Sequence, residues 1–256
     1  MKNTKFIPAL AVSFAAATLS SSGAVVVAGI DAFDSTSAPT VGVTGAGITA
    51  TATASANGNW STEGAANAGR GSSGDGTWGT FAGPAAASTV TDVSSANLAL
   101  TNGKTDGEIT ITIVNNGSVA YDLENFHFDA VAFRPNAART YGLEVLAGSD
   151  ITEGVVFASS DDAITHLGGG LLTNDTDPLT HDQHDDIDIS LAGLADFTLD
   201  AGETAIFQLE FTSGTGSGGG HHLFLDNVAI SGALVPEPSS LALLGFGGLA
   251  LLRRRR

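Results

Sequence analysis

Gly107-Glu108-Ile109-Thr110-Ile111-Thr112-Ile113-Val114-Asn115-Asn116 alternates almost without a break. Ile109, Ile111 and Ile113 fall on one side, and Glu108, Thr110 and Thr112 on the other. Successive side chains of an extended chain point to opposite faces, so a period of two marks a strand with one buried face. Branched residues at these positions suit a pleated surface. Asn115-Asn116-Gly117 then supplies a turn.

The same period recurs outward from this stretch. Tyr141, Leu143 and Val145 share a face, and Phe207, Leu209 and Phe211 alternate with Gln208 and Glu210. Leu223 and Leu225 alternate with Phe224 and Asp226, and Val228 and Ile230 continue toward Gly232. Phe126, Phe128, Val131 and Phe133 change phase near Asp129, which predicts a bulge there. Val25 to Ile30 is apolar throughout and reads as a first strand buried on both faces. Turn signals separate the runs: Asn102-Gly103, Asp106-Gly107, Ala201-Gly202 and Ser231-Gly232. Outside the termini no window of a dozen residues carries a helical stripe. The expected fold is all-β, a β-sandwich of jelly-roll type, with strand order unreadable. Asn57 to Pro84 reads as a long loop over one face or as short, loosely paired strands. Ser213 to Gly220 reads as a hairpin loop. Gly107 to Asn116 is similar to an immunoglobulin-like strand and turn. Phe224 to Gly232 resembles the closing strand of exported jelly-roll domains, including carbohydrate-binding ones.

Both ends of the chain carry addresses. Lys2 and Lys5 precede an apolar run from Phe6 to Leu19, and Ser20 to Ala24 is small and polar. That is the layout of a secretory signal peptide, with Ser22 and Ala24 placing cleavage after residue 24. The run is short against the ~20 residues a membrane span needs. At the other end, Val235-Pro236-Glu237-Pro238-Ser239-Ser240 leads into an uncharged apolar run, Leu241 to Leu252, and then Arg253, Arg254, Arg255 and Arg256. Pro236 and Pro238 oppose a helix upstream of the run, and short basic flanks stay cytoplasmic. This tail resembles the PEP-CTERM sorting domain of exosortase substrates. The resemblance implies that Pro236, Glu237 and Pro238 are the recognition motif and Arg253 to Arg256 the basic cluster. It also implies transient anchorage in the cytoplasmic membrane, processing by an exosortase, and release to the cell surface. As a helix the apolar run spans ~18 Å against a hydrocarbon core of ~30 Å, which suits transient sorting better than stable anchorage. The expected organisation is therefore a signal peptide over 1–24, an exported domain over 25–234 and a sorting signal over 235–256.

Charge bounds the partners. Of ten basic residues, six lie in the two terminal segments, leaving Arg70, Lys104, Arg134 and Arg139. Of 27 acids only Glu237 lies outside 25–234, so the domain carries 26 acids against 4 bases, a formal −22. Such a surface repels nucleic acid and attracts divalent cations. There is no cysteine, which removes disulfides, thiolate nucleophiles and cysteine zinc sites. The domain must therefore rely on its core.

Four site readings follow from residue types. Asp175, Asp177, Asp182, Asp185 and Asp186 cluster as oxygen ligands for calcium (Ca2+), but Leu179 and Thr180 break the EF-hand pattern. The plainer reading is a solvated acidic loop, with Asp186 and Asp188 on the polar side of a strand through Ile187 and Ile189. Trp60 and Trp78, among Asn57, Asn59, Glu63 and Asp75, would serve a carbohydrate-binding face if exposed, or would pin the loop if buried. His181, His184, His221 and His222 lack the HExxH arrangement of a zinc enzyme. The glycine pattern at Gly74, Gly76 and Gly79, and its repeat at Gly214, Gly216 and Gly219, has no helix after it to bind a dinucleotide. No GxSxG elbow is present. The expectation is a non-enzymatic structural or interaction protein of the cell surface or exopolysaccharide matrix. A carbohydrate-binding module, with or without calcium, is the alternative, and a secreted glycoside hydrolase is a more distant one.

Overall fold

A computed structural model describes residues 23–31, 33–55, 60–62, 76–83, 98–100, 106–166, 184–216 and 221–236. The described residues form two antiparallel sheets and no helix. The eight-stranded sheet contains β1 (Val25–Ile30), β2 (Val43–Thr44), β4 (Trp60–Thr62), β5 (Leu98–Leu100), β7 (Tyr121–Ala132), β10 (Asp185–Ser190), β11 (Thr198–Leu199) and β13 (Leu223–Leu234). The five-stranded sheet contains β3 (Ile48–Ala54), β6 (Gly107–Asn115), β8 (Thr140–Val145), β9 (Gly154–Ala158) and β12 (Thr204–Thr212). Their orders are β10-β7-β13-β1-β2 and β3-β6-β12-β8-β9, with β5 paired to β13, β4 to β5 and β11 to β7. The chain crosses between the sheets repeatedly, at β6–β7, β7–β8 and β12–β13 among other places, and the two sheets form a β-sandwich.

The core forms where the alternating faces meet. Ile109, Ile111 and Ile113 of β6 are all buried, as are Phe207, Leu209 and Phe211 of β12. From the other sheet, Phe126 and Phe128 of β7 reach across to Phe207 and Phe211, with ring centroids 6.0 and 5.9 Å apart. The expectation for β1 holds: Val26 to Ile30 is buried on both faces. That requires a second layer outside the eight-stranded sheet, and residues 76–83 supply part of it. Trp78 packs there with Val26 and Ala229.

Two local expectations are corrected. The change of phase near Asp129 is not a bulge in β7, whose pairing with β10 runs unbroken from Ala130 to Asn125. Ala130 and Ala132 keep the core phase, while Val131 and Phe133 pack with Ala99 and Phe224 in a separate cluster. Against β13 the register shifts twice: between Asp226 and Ala229 the extra residue lies in β13, and between Ser231 and Gly232 it lies in β7, at Glu124, away from Asp129. Nor is the segment from Ser213 a hairpin, because β12 and β13 belong to different sheets. Its described part is held by the Asn136 carbonyl, which accepts from the amides of Thr215 and Gly216.

One end of the sandwich is organised by Asn115, which is fully buried. Its side-chain amide donates to the carbonyls of Val119 and Leu199 at 2.9 and 3.0 Å, and its oxygen accepts from Gly117 N at 3.0 Å. The turn signal read from sequence is therefore also the fastener of the β6–β7 crossing.

Truncating Ile111 to Ala should cost about 2–5 kcal/mol by opening a cavity between the sheets. Thr112→Ala, on the outward face, should change stability by about 0.5 kcal/mol or less. Urea unfolding of residues 25–234 measures both, and equal losses would contradict the sandwich.

Candidate functional site

The densest polar arrangement lies on the outer face of the eight-stranded sheet. Register brings its members together. Asp188 of β10 stands opposite His127 of β7, and Ser231 of β13 stands opposite Asn125, one side-chain step away. His127 Nδ1 lies 2.6 Å from Asp188 Oδ1, and its Nε2 lies 2.8 Å from Ser231 Oγ. One level along, Asp186, Asp129 and Asp226 align across three neighbouring strands. Asp129 and Asp226 are buried, whereas Asp186 is exposed.

Buried carboxylates demand donors, and the local backbone supplies them. At the shift in β13, Asn227 adopts a positive φ of 45°. This re-aims its side chain, as bulges do. Its Nδ2 donates to Asp129 Oδ2 at 2.8 Å, and its amide donates to Asp226 Oδ1 at 3.0 Å. Gly79 N donates to Asp129 Oδ1 at 2.9 Å. The amide and hydroxyl of Thr80 donate to Asp188. Phe81 stacks on the His127 ring at 5.3 Å.

Residues 76–83 are therefore a clasp. Trp78 and Phe81 exchange backbone hydrogen bonds of 2.9 Å around a turn at Gly79 and Thr80. Gly79 has φ 52°, and a Cβ there would lie 2.5 Å from Asp188 Oδ1. The glycine pattern at 74–79 thus ends in a residue that lets a turn dock on a sheet, and has nothing to do with a dinucleotide.

Ser231, His127 and Asp188 have the spacing of a nucleophile, base and orienting acid. Their setting gives them another role. Ser231 is fully buried, and its strand is paired on both sides, to Asn125 and to Val26. The three residues act as a hydrogen-bonded strut beneath the clasp. Burial pulls the His127 imidazole below its ordinary value, against the hydrogen bond and charge of Asp188, which raise it.

The residues expected from sequence distribute differently. Trp78 is fully buried, and Trp60 is 8% exposed, so neither offers an open ring to a sugar. Trp78 covers Gly29, where a Cβ would lie 2.8 Å from its ring. Trp60 lies edge-on to Phe211 at 6.4 Å. Both tryptophans pin their segments. Asp175, Asp177, Asp182 and His181 lie outside the described residues. Asp185 accepts from the Thr165 hydroxyl at 2.8 Å and fixes that segment. Asp186 and Asp188 occupy the polar side of β10, with Ile187 and Ile189 inward. Among the described residues no group of three or more histidines and carboxylates is placed to hold a metal ion. His127, Asp129, Asp226, Asn227 and Ser231 were not singled out from sequence. For His127 and Asp129 the one signal was the alternation in Phe126-His127-Phe128-Asp129; Asp226 and Asn227 stand side by side between apolar runs.

The chain leaves the fold at the end of β13. Leu234 pairs with Tyr121, Val235 N donates to Ala120 O at 2.9 Å, and Pro236 is exposed. Residues 234–256 match the family model described as the PEP-CTERM protein-sorting motif. The chain carries a PEP-CTERM sorting motif. That motif marks an exported protein that an exosortase processes after transient membrane anchorage. Glu237 to Arg256, with the expected membrane helix, and the expected signal peptide up to residue 22 lie outside the described residues. Among solved structures, a family 11 carbohydrate-binding module from Clostridium thermocellum, in complex with a beta-1,3-1,4-mixed-linked tetrasaccharide, is 11% identical. The alignment covers 72% of this chain and 88% of that one, with a TM-score of 0.31. No curated protein matches the chain.

Two outcomes test the strut. Because the folded His127 value lies below the unfolded one of about 6.5, the unfolded state binds more protons in that window. Stability is then lost as pH falls from about 6.5 through the folded value. Melting temperatures of parent and His127→Gln across this range should diverge, with the shallower slope in the variant. A serine-directed fluorophosphonate should leave Ser231 unlabelled in the native protein, and peptide mapping that finds the adduct would contradict a structural role.

Proposed function

We propose that the domain of residues 25–234 is a non-enzymatic structural or interaction component of the cell surface or exopolysaccharide matrix. An exosortase delivers it there by acting on the tail. The observation that carries this reading is the PEP-CTERM motif at 234–256, joined directly to an all-β domain. In the reading, Pro236, Glu237 and Pro238 are recognised, Leu241 to Leu252 enters the cytoplasmic membrane, and Arg253 to Arg256 hold the cytoplasmic side. The domain itself suits an extracellular life: it has a large net negative charge and no cysteine to oxidise. Divalent cations, calcium among them, act on it as diffuse counter-ions.

Glycan contact is a second reading, favoured by the outer face of the five-stranded sheet. Register aligns Thr53, Thr110, Gln208 and Glu144 in one row across β3, β6, β12 and β8. Hydroxyl, amide and carboxylate groups in a row on an outer sheet face match the hydroxyls of an extended polysaccharide. Glu210 lies beside that row. Its carboxyl is pushed up by burial and then by the charges of Glu108, Asp106 and Glu144. On a glycan array, binding that disappears in Gln208→Ala would support this reading, and an array without signal would remove it.

The main reading is tested on surface-extracted protein. Intact mass should show chains that have lost Arg253 to Arg256. Glu237→Ala should accumulate in the cytoplasmic membrane with the arginines retained. Arginines present on most surface-exposed molecules would overturn the reading.

A further inference from the structure

We propose that one pole of the sandwich is the surface against which the sorting enzyme docks. This inference rests on the exosortase reading above. The pole comprises the turns at 45–47, 116–120 and 200–203.

The first strand starts and the last strand ends at this pole. β1 starts at Val25 and β13 ends at Leu234, and the two strands are antiparallel neighbours with Val25 opposite Gly232. The last backbone hydrogen bond of β13's extension, Val235 N to Ala120 O, belongs to the pole itself. The motif begins at the next residue, Pro236. No linker intervenes. Pro236 to Pro238 can reach at most about 11 Å, and Val235 to Leu241 about 20 Å. An enzyme site that encloses Pro236, Glu237 and Pro238 must therefore bring its rim onto the turns around Val235. The far pole cannot take part, because the twelve residues of β7 set it about 40 Å away.

The pole is also firm and of one sign. Asn116 N donates to Gly47 O at 2.8 Å, Gly202 N to Asn115 O at 2.7 Å, and Tyr121 Oη to Ala46 O at 2.9 Å. These bonds tie the three turns to one another and to the start of β7. Asp150, Glu153, Asp196 and Asp200 are exposed at this end. Among the described residues, the only lysines or arginines are Arg134 and Arg139, both at the far pole. An acidic pole is repelled by anionic headgroups and attracted by a basic protein rim. The partner that fits is a membrane-embedded protein, not the lipid surface.

The absence of cysteine makes the test direct. Ser118→Cys places one thiol on the exposed turn of this pole, and Ser160→Cys places one at the exposed far pole. Each full-length variant is held in membranes that lack the exosortase, coupled to a bulky polyethylene glycol maleimide, and then supplied with the enzyme. Loss of Arg253 to Arg256 is followed by mass. Before coupling, both variants should be processed like the parent. After coupling, the Ser118→Cys adduct should lose processing and the Ser160→Cys adduct should keep it. Equal processing of both adducts would overturn the docking surface while leaving exosortase sorting intact. Failure of the uncoupled variants and the parent alike would overturn the sorting reading on which the surface rests.

Discussion

The seating of β13 between β7 and β1 is the constraint on which the rest of the structure depends. The last strand of the domain lies in the middle of the larger sheet and hydrogen-bonds to the first strand. Its other edge pairs with β7 from Leu223 to Leu234. A central strand with ladder partners on both edges cannot be added late to a finished fold. Until it is in place, β1 and β7 expose unpaired edges and the apolar residues behind them. The long sequence separation of β1 and β13 makes their pairing a late, entropically costly closure. The sandwich therefore closes only once its C-terminal strand has arrived.

The buried polar groups follow from the same arrangement. Strands in the middle of the larger sheet are covered on both faces, on one side by the five-stranded sheet and on the other by segments such as 76–83. Placing His127, Asp129, Asp226 and Ser231 on the outer side is tolerable only because donors and acceptors converge there. The bulge at Asn227 and the turn at Gly79 deliver those donors from two distant parts of the chain. Polar residues thus fix where the covering segment sits, while Trp78 and Phe81 supply the apolar contact that excludes water. Net stabilisation by each such bond is modest, but leaving one buried partner unmade is costly, so the network specifies one position for the clasp.

Much of the fold was legible because its signal is local. The alternation in Gly107–Asn115, Thr140–Val145 and Thr204–Thr212 depends only on which side of a strand meets the core. The structure keeps those phases. Val25–Ile30 was legible for the opposite reason, since an uninterrupted apolar strand must be covered twice. The misplaced bulge shows the limit. Val131 and Phe133 are apolar like the core residues but face a different cluster, and hydrophobicity alone cannot say which apolar layer a residue joins.

The candidate site was far less legible, since its members come from residues 79–81, 127–129, 188 and 226–231 and are united only by strand order and register. Trp60 and Trp78 were equally compatible with an exposed stacking face and with a buried pin, and only the path of their backbones decided between the two. The sequence by itself determined the all-β class and the presence of the sorting tail. Strand periodicity and a contiguous motif are written in neighbouring residues. The tertiary structure alone decided that the start of β1 and the end of β13 share a pole, that Ser231, His127 and Asp188 meet, and that the tryptophans lie inside. Each of these depends on which strands pair across the sheet, and that is settled by the free energy of the whole packed chain.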